Sequence, residues 1–434
     1  MNAESTPGES DRSDSFGRVG TGFWAGRLAS TVGGAMASLA MPFFLTVHLQ
    51  MAPVEVSIVL TGPLLVTILS PLYAGVIADL LDRKRVSIFS ELARSALLCS
   101  LALVAAANVS DLVILSVVNA LIAVASSIYS ASFKAGLPDI LGEEQLQAGN
   151  ARLQTLITVA ESGSAALGGA ALSIFGAVAI FGVTAFSYLL SAACLVKTKW
   201  PHSRADAGGG EKLSYLRRVS RGFAAVRESR LLTLLLVTSS LANLVIHVTA
   251  VALLFFLVRD LEFPFFLYSL VLAVGSAGAV IGALAMTHLS FLRDMSHARI
   301  QTAALVGYGA FLVGYGVLWA SSASSFTVAC VMDFGIGFCI SIYVVRNMTQ
   351  QQTAVGRESR GSVSSVRTFS TALAGAAGTA AAGVVIEVSS ARAVVTVCGL
   401  ALAVGAFVYG LLIKKVGVAP MEPTQCQGKG KGLV

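Results

Sequence analysis

Charge is scarce in this chain: Asp, Glu, Lys and Arg make up 12% of its 434 residues, where an ordinary soluble domain carries about 25%. A water-soluble protein of this length needs a polar skin around its core, and half the usual charge does not supply one. Cysteine is sparse as well. Of six, Cys99, Cys194, Cys330, Cys339 and Cys398 fall in apolar runs and Cys426 near the C-terminus. With no CxxC pair and no histidine cluster beside them, structural disulfides and metal sites are not expected. No GxxxxGK[ST] run is present, so nothing points to ATP hydrolysis, and the scattered Ser, Cys and His residues assemble no nucleophile by spacing. The first 21 residues place Glu4, Glu9, Asp11 and Asp14 before any apolar stretch, the wrong order of charge for a cleaved signal peptide.

What is present in abundance is apolar sequence: 55% hydrophobic residues and a mean hydropathy of +0.79. Runs bounded by charge and turn residues predict spans near 22–49, 57–80, 86–108, 111–133, 150–173, 176–196, 230–258, 264–288, 299–321, 325–347, 360–387 and 392–414. The reading is an all-α integral membrane protein of twelve transmembrane helices in two six-helix halves. Its net charge of +7 reflects topology and not nucleic-acid binding, because the basic residues are scattered between apolar blocks. Arg259 and Arg392 fall in loops after odd-numbered spans and Arg27, Arg94 and Arg367 within spans, so nearly all other Lys and Arg lie on one side. That asymmetry predicts both termini in the cytoplasm of a cell expressing the protein in its plasma or inner membrane.

The predicted organisation is a cytoplasmic tail (1–21), an N-terminal half (22–196), a linker (197–229), a C-terminal half (230–414) and a second tail (415–434). In the linker, Leu213, Leu216, Val219, Phe223 and Val226 recur at helical spacing among Arg217, Arg218, Arg221 and Arg227, which predicts a basic amphipathic helix on the inner leaflet. An internal repeat supports two halves. Asn119, Ser127, Ile128 and Tyr129 reappear 214 positions later as Asp333, Ser341, Ile342 and Tyr343; the same offset carries Gly169 onto Gly383, and a similar one carries Phe43-Phe44-Leu45 onto Phe255-Phe256-Leu257. Duplicated halves are a recurrent plan of secondary transporters, which rock one half against the other around a midplane site.

Polar residues inside spans are costly and therefore informative. Glu161 belongs to a stripe of Gln154, Thr158, Glu161, Ser164 and Gly168. A charge at mid-membrane costs roughly 2.5–3.5 kcal/mol, so this carboxyl should face a cavity, find a partner or take up a proton. Asp333 starts a second stripe with Gly337 and Ser341, and the repeat sets it opposite Asn119, so both are candidates for a shared central cavity; the competing reading puts Asp333 near a helix end. Arg27 either contacts substrate or snorkels to the headgroups. Glu91 and Arg94, three apart on one face, read as an internal ion pair. Ser240, Asn243 and His247 share a face of span seven, and a histidine there titrates near neutral pH or serves structure alone. Arg367 has Asp333, Asp79 and a helix end as possible partners.

Between spans two and three the chain reads Gly75-Val-Ile-Ala-Asp79-Leu-Leu-Asp82-Arg83-Lys84-Arg85. Anchoring by basic residues explains Arg83, Lys84 and Arg85 but not Gly75 and Asp79, which suit close helix approach and pairing across the half-to-half interface. These residues resemble the loop pattern G-x-x-x-D-R-x-G-R-R/K of the major facilitator superfamily, with Leu80 and Asp82 departing from it. FWAGRLASTVGG, FKAGLPDILGEEQLQAGNARL and QQQTAVGRESRGSV look like its branch of multidrug, macrolide and siderophore exporters. The resemblance implies alternating access, proton antiport and a latch made by Gly75, Asp79, Arg83 and Lys84. Three departures stand out: Gly34 where that branch usually has an acid, Asn119 where antiporters often have an arginine, and no proline in Ser164-Ala165-Ala166-Leu167-Gly168-Gly169. The function read from all this is proton-coupled efflux of small amphipathic compounds, with no enzyme chemistry and no cofactor, by a monomer whose partners are substrate, protons and lipid. The proton and substrate cavity would use Glu161, Asp333, Asn119, Arg27, Asn243 and His247. The alternatives are a substrate-specific importer or facilitator, and a siderophore or secondary-metabolite exporter.

Overall fold

A computed structural model describes residues 21–141, 146–198, 200, 215–289, 295–355 and 360–415. Every regular element among them is helical. In chain order they are α1 (Thr21–Phe43), α2 (Pro53–Leu80), α3 (Arg83–Ala106), α4 (Leu112–Leu141), and a long element Leu146–Lys197 that Gly176 interrupts, giving arms α5 (146–175) and α6 (177–197). Then follow α7 (Tyr215–Glu228), α8 (Arg230–Leu254), α9 (Phe265–His288), α10 (His297–Gly314), α11 (Ala323–Thr353), α12 (Arg360–Val388) and α13 (Ala391–Lys415). Among the described residues, eleven helices are long and apolar enough to cross a membrane. The predicted fifth and sixth spans are not separated by a loop. They join at Gly176, whose φ of 76° is the left-handed region that a side chain would strain, so a single glycine does the work of a connection.

Helix starts follow the local chemistry. Pro53 opens α2, where its missing N–H costs nothing, and Glu55 accepts from the Ala52 N–H at 2.8 Å. Asp82 caps α3 by accepting from the Arg85 N–H at 2.8 Å, and Ser229, Ser296 and Ser322 cap α8, α10 and α11 in the same way. The repeat shows itself in the backbone too. α1 runs into a π-helical turn at Phe44–His48 and α8 into one at Phe255–Asp260. Each is followed by a residue of positive φ, Gln50 and Glu262.

Both π turns enter one apolar seal. Phe44, Leu45, Met51, Phe255, Phe256 and Leu257 are buried in a cluster that joins the two halves, and the Phe43 and Phe265 rings meet across it at 4.4 Å. Because α1 runs from Thr21 into this seal and α13 runs from Ala391 within it out to Lys415, both described chain ends lie at the opposite end of the bundle. Large apolar side chains are exposed around the helices, among them Phe89, Leu103, Ile174 and Val388. Such a belt fits lipid and not water, and the chain is a multi-pass membrane protein.

The linker helix departs from its expected place. α7 forms, but Val219 and Val226 on its apolar face are buried against Leu232 of α8, Val355, and Val363 and Val366 of α12. Gly222 sits so close to α12 that a Cβ there would lie 2.3 Å from the Ser362 carbonyl oxygen. Val219 and Val226 are thus covered by protein, while Leu213 and the Leu216 side chain of the same predicted face lie outside the described residues. Phe223 remains exposed.

Candidate binding cavity

Two adjoining concavities lie between the halves on the side of the seal away from it. One, of about 490 Å³, is lined by Arg94, Asn119, Tyr188, His247 and Thr379 among apolar residues of α1, α2, α3, α4 and α8. The other, of about 650 Å³, is lined by Ser164, Gly275, Ser276, Asp333 and Gly337. Gly34 and Ser38 of α1 line both, so the two lobes adjoin along that helix.

Asp333 lies in the third turn of α11 and is 8% exposed, which places it within the bundle and not at the helix end. Its Oδ1 accepts from the Tyr315 hydroxyl at 3.2 Å. The neighbouring helix can approach because Gly275 has no side chain: a Cβ there would fall 2.0 Å from Oδ2. Asn119 lines the other lobe and donates from Nδ2 to the Val59 carbonyl at 3.0 Å, tying α4 to α2. His247 also lines that lobe. Its Nδ1 lies 2.9 Å from the Asn243 carbonyl oxygen and must donate to it, which fixes the ring beside Gly375 of α12. Asn243 itself turns back to the Ser239 carbonyl at 2.9 Å.

Arg94, which sequence spacing assigned to an internal ion pair, also lines the cavity. The expected pair exists, with Arg94 Nη1 3.0 Å from Glu91 Oε2. Ser191 donates to Glu91 Oε1 at 2.8 Å, and the Arg94 guanidinium stacks 3.7 Å from the Tyr188 ring. Yet Arg94 also forms cavity wall. The one sequence signal that bears on this is Gly34, whose missing side chain opens the space in front of it. Arg27 neither pairs with an acid among the described residues nor sits free: its guanidinium lies 4.7 Å from the Phe133 ring and 5.3 Å from that of Tyr129. Glu161 lies on α5, but its side chain, like that of Asp79, lies outside the described residues. Ser164, one turn further along α5, lines the Asp333 lobe.

Of the predicted latch residues, Arg83 and Lys84 make contacts within the N-terminal half. Arg83 donates to Asp139 Oδ2 at 2.9 Å and to the Ala135 carbonyl at 3.1 Å. Lys84 donates to the Val196 and Thr198 carbonyls at 3.0 and 2.9 Å. These contacts tie the start of α3 to α4 and to the end of α6. No atom lies within 4 Å of where a Cβ on Gly75 would sit. Arg367 lines a separate depression of about 450 Å³ with Gln351, Gln352 and Ser364, and it makes no ion pair with Asp333. Among the described residues there is no cluster of His, Cys, Asp and Glu that could hold a metal ion.

The sequence profile of the Major Facilitator Superfamily matches residues 23–379. No curated protein matches the chain. Among solved structures, it is similar to the nucleoside transporter NupG, with a TM-score of 0.73 and 13% identity over 91% of this chain and 99% of that one. It is similar also to a bacterial homologue of the iron transporter ferroportin in the inward-facing state, at 0.70 and 15% over 90% and 98%. An auto-inhibited peptide transporter of the POT family gives 0.71 and 12% over 92% and 98%. Identities this low carry the fold and not the cargo.

Proposed function

The chain belongs to the major facilitator superfamily, and from that premise we propose that it exports small amphipathic compounds in exchange for protons by alternating access. A transporter of the secondary type needs a gradient and a coupling group. The observation that carries the reading is Asp333: a buried carboxylate lining the cavity, held by one tyrosine hydroxyl and by no ion pair among the described residues. Such a group changes partner at little cost, giving up a proton when a cationic cargo arrives and taking one when it leaves. Glu161 is the second coupling group in this reading. One proton moving down about 100 mV and one pH unit supplies roughly 3.7 kcal/mol, enough to sustain a gradient of about 500-fold.

In the proposed cycle twelve spans form two halves, with both termini cytoplasmic on the strength of the basic-residue asymmetry. The apolar seal then lies at the outer end and the cavity opens inward. The Gly75–Lys84 segment latches the inner ends when the seal opens, Asp79 supplying the contact across the halves; Asp79→Asn should slow that exchange while leaving affinity intact. The alternatives, an importer or facilitator of the same fold, predict the opposite response in cells. Deleting an exporter raises the intracellular level of a fluorescent cargo, and a protonophore does the same. Lowered uptake on deletion would contradict the export reading.

A further inference from the structure

We propose that the cargo is amphoteric, with a carboxylate received by Arg94 and Tyr188 over Gly34 and an ammonium group directed to Asp333. This rests on reading the space between the halves as the transport site.

Arg94 is fixed in position before any ligand arrives. Nη1 is occupied twice, by Glu91 Oε2 at 3.0 Å and Ser30 Oγ at 3.3 Å, and the plane of the guanidinium is set by Tyr188 beneath it at 3.7 Å. No carboxylate among the described residues takes Nη2, and the Tyr188 hydroxyl beside it accepts from the guanidinium with its own proton free to donate. If residue 34 had a Cβ, that atom would lie 3.5 Å from Nη2 and 3.0 Å from the Tyr188 hydroxyl. Two donors on different helices therefore converge on one point, and the point is vacant because residue 34 is glycine. A guanidinium edge with a phenol beside it is matched by the planar oxygens of a carboxylate, which accepts both hydrogen bonds at once.

The position of Gly34 supplies the second half of the argument. It lines the lobe that contains Arg94 and also the lobe that contains Asp333. A molecule seated with its anion over Gly34 has the rest of its length beside α1, and the charged group across from it is a carboxylate. One wall presents hydrogen-bond donors of the Glu91-paired Arg94 and of Tyr188, and the other presents a carboxylate with no ion pair among the described residues. A purely cationic cargo leaves the Arg94 edge facing apolar surface, and a purely anionic one meets Asp333. An amphoteric molecule satisfies both, and its apolar body matches the remaining lining.

The test uses the full chain in lipid nanodiscs, with norfloxacin, which carries one carboxylate and one piperazine amine, and its ethyl ester, which keeps the amine alone. Binding is read by ligand fluorescence and by thermal stabilisation. The acid should bind about tenfold more tightly than the ester, the scale of one charge-assisted contact. Gly34→Asp places an internal carboxylate on the same donors and should abolish that preference, while Gly34→Ala, a milder change that keeps the helix, should weaken the acid more than the ester. Asp333→Asn should weaken both. Equal affinity of acid and ester, no binding of either, or an acid preference that survives Gly34→Asp would overturn the proposal. Because binding needs no gradient, this outcome is separate from that of proton coupling, which a transport assay decides.

Discussion

Glu91 holds the charge that makes Arg94 tolerable in an apolar interior. It is fully buried, and its two oxygens take Arg94 and Ser191. Removing one partner of a buried ion pair costs about 3–5 kcal/mol because the other charge is left uncompensated. Glu91→Gln should therefore lower the thermal midpoint of the purified protein markedly, whereas the exposed Asp111→Asn should leave it almost unchanged; equal effects would mean the pair is not a structural support. Residues of this kind were only partly legible in the sequence. The Glu91–Arg94 spacing revealed the pair, but its cavity role depends on Tyr188 and Gly34 from distant helices, and no periodicity connects three separate helices. Asp333 was more accessible, since its stripe with Gly337 and Ser341 set its face. Its depth and its tyrosine partner came only from the packing.

At the scale of helices, the repeat becomes a pair of matching contacts between halves. Gly169 on α5 faces Ser269 on α9, and Gly383 on α12 faces Pro53 and Ser57 on α2. A Cβ on Gly169 would lie 1.9 Å from Ser269 Cβ, and one on Gly383 would lie 2.6 Å from the Pro53 carbonyl oxygen. These contacts hold the halves together near the seal, and an added methyl has no room there. Overpacking of this kind costs about 1–3 kcal/mol, roughly a 5- to 150-fold change in the ratio of two shapes. Gly383→Ala should shift the molecule toward opening at the seal, measured as a longer spin-label distance between Gln50→Cys and Glu262→Cys in a background without other cysteines. An unchanged distance would contradict the assignment. The glycine pair was visible in the sequence as a repeat, but its partners were not, because the contact lies between halves that the chain order keeps apart. The fusion of α5 and α6 at Gly176 and the docking of α7 on α12 were also hidden: hydropathy reports how apolar a helix face is and not whether lipid or protein covers it.

For the whole molecule, the shortage of charge proved the most reliable signal. It pointed to lipid as the solvent, and the exposed apolar belt answers to that. In the proposed cycle the distribution of Lys and Arg also orients the bundle. A single cysteine at Gln50, beside the seal, should be labelled from outside intact cells by a membrane-impermeant maleimide, and one at Arg85 should not; the reverse pattern would invert the topology. Under the proposed orientation the cavity opens to the cytoplasmic side, where cargo would enter beside Asp333. In the proposed cycle cargo leaves because protons return through that carboxylate. The direct measurement is transport of norfloxacin by protein reconstituted in liposomes under an imposed pH gradient, comparing wild type with Asp333→Asn. The expected result is gradient-driven accumulation by the wild type that the substitution abolishes while passive exchange continues. Gradient-driven accumulation by Asp333→Asn at the wild-type rate would contradict it.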